Sequence, residues 1–202
     1  MFAQNTPLQF AHDGSVSFSE RALLHLELMR DKSKLFPSMQ AADQVMSARV
    51  WHCSYESLSA LSECVNLEVL VIATLPNDSF EFLAKCKALR YLSVLHLPQV
   101  SDLHGLACLS NLQVLSLATS PGWDSSGRIQ EVRSLSPLAH LSNLKNIELL
   151  GVCPPSRSPD ELLQCPRLES ARFSKYNKQL VTHFHQHTEV KDEFAPEPPI
   201  PN

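Results

Sequence analysis

The sequence predicts an α/β solenoid: a right-handed coil of short repeats, with a parallel β-sheet on the concave face and helical or 3₁₀ return segments behind it. Three observations predict it. A short apolar word, apolar-x-x-apolar-x-apolar, recurs along the 202 residues with a nearly constant step. Within each word the last positions alternate with period two, the signature of a strand with one buried face. Between words, apolar residues fall every third position, the spacing of a tight 3₁₀ turn.

The words begin at Leu23, Val45, Leu67, Leu89, Leu112, Leu144 and Leu168, so the steps are 22, 22, 22, 23, 32 and 24 residues. The clearest copies are Leu67-Leu70-Ile72, Leu89-Leu92-Val94, Leu112-Leu115-Leu117 and Leu144-Ile147-Leu149. Leu168-Ala171-Phe173 is a degenerate copy, and Val45-Ala48-Val50 and Leu23-Leu26-Leu28 extend the series upstream. One strand with its return cannot bury its apolar face alone. Stacked copies build a shared core and pair their strands in parallel.

The return segments match one another as well. Val100 to Leu112 reads VSDLHGLACLSNL and Leu135 to Leu144 reads LSPLAHLSNL. In these residues the chain resembles leucine-rich repeats of the bacterial internalin type, over roughly residues 45–173. The resemblance implies a leucine-rich-repeat solenoid but fixes no function, because that repeat serves many unrelated partners. Leu75 and Leu97 stand where the usual motif has Asn or Cys. Irregular turns are expected after those strands.

The elements follow in order. Residues 1–22 are read as an N-terminal cap, a β-hairpin turning at Asp13-Gly14. Residues 23–174 hold the repeats. Leu23 to Met29 fits either a cap helix or a first strand, and the 22-residue register favours the strand. The long step places an excursion at about 119–133, rich in Gly, Ser and Pro and carrying Trp123. Trp123 either folds back over the core or reaches a partner, and Asp124 and Arg128 could form a solvated pair. Residues 175–190 are read as a capping helix. Residues 191–202, with four prolines after Glu193, form an extended or disordered tail.

Composition narrows the function. Net charge is −4, against the basic face that nucleic acid requires. The longest aliphatic run, Val69 to Ala73, is far too short to span a membrane. The start lacks a basic segment followed by an apolar one, so a soluble, cytoplasmic protein is expected. Cys64, Cys86 and Cys165 recur three residues before a repeat word, as small inward side chains would. No Cys-x-x-Cys metal pair, phosphate-cradling loop or Gly-x-Ser-x-Gly elbow occurs, and no cofactor is expected.

The non-core positions of successive strands should form an apolar column on the concave face: Trp51, Val69, Val71, Tyr91, Leu95, Val114 and Leu150. An exposed patch of that kind calls for a partner or a cover. The expected contact residues are Trp51, Tyr91, Leu95 and His96, with Arg49 and Arg90 on the rim and Trp123, Asp124 and Arg128 in the excursion. The resulting reading is a non-enzymatic module that binds a protein, in its most concrete form a small bacterial inhibitor or immunity protein. The cap, the excursion or a second copy forming a homodimer could instead cover the face. Two other readings stand beside this one. A metal-dependent or hydrolytic enzyme would use His183 and His187, one helical turn apart, with His185 facing elsewhere. A structural adaptor would use the tail as a tether.

Overall fold

The computed structural model describes residues 15–16 and 24–201. Its strands are β1 (Ser15–Val16), β2 (Leu24–Met29), β3 (Ser38–Met39), β4 (Val45–Trp51), β5 (Val69–Ala73), β6 (Tyr91–Leu95), β7 (Val114–Ala118), β8 (Gln130–Glu131), β9 (Asn146–Leu150), β10 (Val152–Cys153) and β11 (Ser170–Ser174). Two short α-helices, α1 (Pro121–Ser125) and α2 (Lys178–Gln186), complete the set. Seven strands form one parallel sheet in the order β11-β9-β7-β6-β5-β4-β2. The order follows the chain, as it must when each repeat stacks on the one before.

Register carries the repeat into space. Leu70 lies opposite Ala48 and Leu92, and Ile72 opposite Val50 and Val94. The second and third positions of every word therefore line one inward ladder. Leu26 and Leu28 continue it opposite Ala48 and Val50, which settles Leu24–Met29 as a strand rather than a cap helix. Behind the sheet, 3₁₀ turns at Ser59–Glu63, Glu81–Leu83, His104–Leu106, Ser136–His140 and Asp160–Gln164 stack in step. With 22 residues per coil and five in the strand, no room remains for a long helix. Leu61, Leu83, Leu106 and Leu138 close the core from this side, all fully buried. The architecture is a leucine-rich-repeat solenoid.

The turn after each strand is more regular than the sequence suggests. The residue that follows β2, β4, β5, β6, β9 and β11 is Arg30, His52, Thr74, His96, Gly151 and Lys175, and all six have φ between 52° and 73°. The NH groups of Arg30, His52, Thr74 and His96 each reach the next repeat, as His52 does to the Ala73 carbonyl at 3.0 Å and Thr74 to the Leu95 carbonyl at 2.7 Å. Leu75 and Leu97, in place of the motif's polar residue, are simply buried. A left-handed backbone step, not the missing asparagine, makes the turn. Asparagine does serve at another corner: Asn66, Asn111 and Asn143, each just before a word, donate at 2.8 Å to the carbonyls of Asp43, Lys87 and Ser110 in the preceding coil.

The excursion is partly ordered. It leaves β7 through α1, then β8 pairs in parallel with β10, Gln130 opposite Val152. Val132 returns to the core, fully buried. At the C-terminal end α2 begins at Asn177, whose side chain accepts from the Gln179 NH at 2.9 Å, and it seats Phe184 edge-on to Phe173. The helix is shorter than the expected 175–190, because the Thr188 hydroxyl takes the Phe184 carbonyl and ends it. The hairpin expected about Asp13-Gly14 lies outside the described residues, while Ser15–Val16 pairs in parallel with Ser38–Met39. All six cysteines are free; Cys64 and Cys86 are fully buried and Cys165 nearly so.

Candidate protein-binding face

Pleating turns alternate side chains of the sheet away from the core. Down the stack, one column of the concave face runs His25, Ser47, Val69, Tyr91, Val114, Asn146, Ser170. The next runs Glu27, Arg49, Val71, Ser93, Ser116, Glu148, Arg172. The centre is apolar and both ends are polar. Val69, Val71, Tyr91 and Val114 form a cluster separate from the main core, and Trp51 packs against it.

Near the N-terminal end the polar groups are paired. Arg49 Nε donates to Glu27 at 2.8 Å, and His25 lies 2.8 Å from both Glu27 and Ser47. Burial raises the Glu27 carboxyl, but the bonds from Arg49 and His25 outweigh it and hold the group below its usual value. At the other end the Ser116 hydroxyl donates to buried Glu148 at 2.8 Å.

The cover over this face is the C-terminal tail, which the sequence reading did not foresee as a cover. Asp192 meets Arg172 at 3.1 Å, and the Arg172 guanidinium lies 3.9 Å over the ring of Phe194. The Ala195 NH donates to Glu148 Oε1 at 2.8 Å, and the Tyr91 hydroxyl donates to the Pro196 carbonyl at 3.0 Å. Ala195 and Ile200 pack against the apolar cluster. The segment thus crosses the strands from β11 towards β5. Tyr91 keeps only 6% of its surface exposed, and Val69, Val71 and Val114 keep 9% or less. The burial and the loss of water push the Tyr91 phenol up to about 12. The expectation of an open apolar column is corrected accordingly. Between the tail and the sheet a cleft of about 380 Å³ remains, lined among others by Arg90, Tyr91, Val114, Pro196 and Pro199.

The residues singled out from the sequence divide into two groups. Trp51 and Tyr91 share the central cluster, with half-buried Arg49 beside Glu27 and exposed Arg90 3.8 Å from Glu68 at the margin. Half-buried Leu95 ends β6, and His96 makes the left-handed turn after it. His96 belongs to a second group at the strand tips. Trp123 stands edge-on to its ring, centroids 5.1 Å apart, so the tryptophan folds back on a turn rather than over the core. Burial, with His52 nearby, holds the His96 imidazole below its usual value. Asp124 does not pair with Arg128; it meets Lys175 at 3.3 Å, since α1 carries it towards the C-terminal cap, while Arg128 is exposed. Glu148, Arg172, Phe194 and Ile200 were missed. The available signal was two large apolar residues, Phe194 and Ile200, in an otherwise polar, proline-rich tail.

His183 on α2 and His187 just past its end do lie together, ring centroids 3.9 Å apart, with the His187 Nδ1 donating to the His183 carbonyl at 2.9 Å. His185 turns away and bonds the Val190 carbonyl. Among the described residues no three His, Cys, Asp or Glu side chains gather as metal ligands, and no helix is long and apolar enough to cross a membrane.

No protein-family model matches the chain. Over 123 residues it is 29% identical to the cilia- and flagella-associated protein 410 of mouse, a match covering 58% of this chain and 49% of that protein. Among solved structures, an internalin (inlF) from Listeria monocytogenes aligns with 83% of this chain and 53% of its own length, at 14% identity and a TM-score of 0.47. The chain spans about half the length of the proteins it matches.

Proposed function

We propose that this protein is a non-catalytic binding module whose concave sheet face recognises a protein partner. One observation carries the reading. The repeats place Val69, Val71, Tyr91 and Val114, with Trp51, on the side of the sheet that the core does not use. Strand stacking itself does not require apolar residues there, and the tail that lies over them covers the face incompletely, leaving a cleft of about 380 Å³. Large apolar and aromatic groups in such a place are the anchors of protein interfaces. Arg49 and Arg90 border this row, and Leu95 and His96 extend the surface to the strand tips, where Trp123, Asp124 and Arg128 add a second edge.

The narrower reading as a bacterial inhibitor or immunity protein rests on size and repeat type, and the sequence relative named above is from mouse; the broader reading is the one put forward. A tether role for the tail fits poorly with a tail laid over the sheet. Six free thiols, four of them buried, suit a reducing compartment, in keeping with a cytoplasmic placement.

Affinity capture with mass spectrometry tests the proposal. A partner held by the native chain should be lost from the double variant Trp51→Ala, Tyr91→Ala while the variant keeps its circular dichroism. Recovery of the same proteins at the same yield would remove the concave face from the function.

A further inference from the structure

We infer that the concave face is a groove for an extended, proline-rich segment of the partner, and that the chain's own tail, residues 193–201, is its resident competitor. This rests on the reading of that face as a binding surface and gives the partner a chemistry.

The tail shows what the groove accepts. Pro196, Pro198, Pro199 and Pro201 have no NH, so this segment cannot pair along a sheet edge. It crosses the strands instead and is held by side chains. Glu148 takes one free NH, from Ala195, and Tyr91 gives its hydroxyl to one carbonyl, that of Pro196. Arg172 covers an aromatic ring, that of Phe194, and the central cluster receives Ala195 and Ile200. An aromatic residue, a small residue with a free NH, then prolines and a branched aliphatic residue is the pattern these contacts select. Proline suits the role, since an already extended chain loses little entropy on binding.

The same contacts explain why the cover can be exchanged. Phe194 is 67% exposed despite its cation. The tail fills its site incompletely, leaving the cleft of about 380 Å³ beneath Pro196 and Pro199. A partner with a bulkier apolar side chain at that point would fit better than the tail does. A tethered segment acts at an effective concentration of about 1 mM. A competitor in solution then binds the native chain more weakly than a chain with its tail released by a factor of one plus that concentration divided by the free segment's own Kd, which is about tenfold when that Kd is about 0.1 mM.

The test uses the full chain and the acetylated peptide Glu-Phe-Ala-Pro-Glu-Pro-Pro-Ile-Pro-Asn, the sequence of residues 193–202. The released form is the full chain with Ala195→Pro, which removes the NH given to Glu148, and Ile200→Asp, which removes the apolar contact. Calorimetry should show the peptide binding the released chain about tenfold more tightly than the native chain, and a peptide carrying Ile200→Asp should not bind. In the native chain the Ala195 amide should exchange with deuterium more slowly than the exposed Glu193 amide. Equal affinity for the two chains, or no binding to a released chain whose circular dichroism is native, would overturn the inference. So would a concentration-dependent dimer of the native chain that Ile200→Asp abolishes, since the groove would then hold a second copy's tail. If capture still depends on Trp51 and Tyr91 while the peptide fails, only the proline-rich chemistry falls; if capture does not depend on them, the binding face itself falls.

Discussion

Gly151 sits where β9 ends and the enlarged coil comes back, and Gly151→Ala separates two costs that usually travel together. Its φ is 72°, and a Cβ there would stand 3.1 Å from Thr119 Cγ2 and nearer still to Oγ1. Alanine pays about 1–2 kcal/mol for the left-handed backbone, less about 0.4–1 kcal/mol because the unfolded chain loses freedom too. Forcing a methyl against buried Thr119 adds about 1–3 kcal/mol. The sum is a destabilisation of about 1–5 kcal/mol, or a fall in Tm of about 2–20 °C for a chain of this size. Thr119→Ala removes Oγ1 and Cγ2 and leaves only Cβ in contact. In the double variant the steric share should be largely recovered and the backbone share should remain, giving a favourable coupling of about 1–2 kcal/mol. Urea melts of the four proteins measure it. Additive single effects, or a Gly151→Ala chain within about 0.5 kcal/mol of native, would refute the assignment of strain to this turn.

Gly105→Ala should also destabilise, by about 1–3 kcal/mol, since its Cβ would meet the Phe80 carbonyl carbon and Glu81 nitrogen at 2.7 Å, backbone that cannot move aside; a thermal melt unchanged within error would show that the return segments are looser than they look. Burial pushes Cys64 up to about 12 and Cys86 and Cys165 to about 11, so alkylation at pH 8 followed by peptide mapping should modify half-buried Cys108 well before these three, and equal rates would contradict the packing. Acid should destabilise the fold in two steps. His96 titrates below 6.5 and Glu27 below 4.5 in the folded chain, so in each window the unfolded chain binds more protons; both contributions are whole above those values and vanish as pH falls through the folded ones. Urea melts from pH 8 to 3 should therefore lose stability below pH 6.5 and again below 4.5, with His52→Asn shrinking the first loss; a flat profile above pH 5 would remove the first step.

The repeat was legible because it is written in local chemistry. Period-two alternation at Leu70-Ile72 or Leu92-Val94, returned every 22 residues, permits one way of burying both strands and returns, and the sheet follows. The inward cysteines and the position of the excursion came from the same spacing. The left-handed turns were not legible, because Arg30, His52, Thr74 and His96 are residues that rarely adopt that backbone and do so here under the pull of the ladder on both sides. Nor could sequence choose between Arg128 and Lys175 as the partner of Asp124, since that depends on how α1 points. The concave face divides along the same line. Its apolar column was set by composition at alternate strand positions. That a proline-rich tail from the far end of the chain lies across Tyr91 and Glu148 was decided only in three dimensions, because its contacts join residues 47 and 105 apart in sequence and leave no periodic trace in either segment.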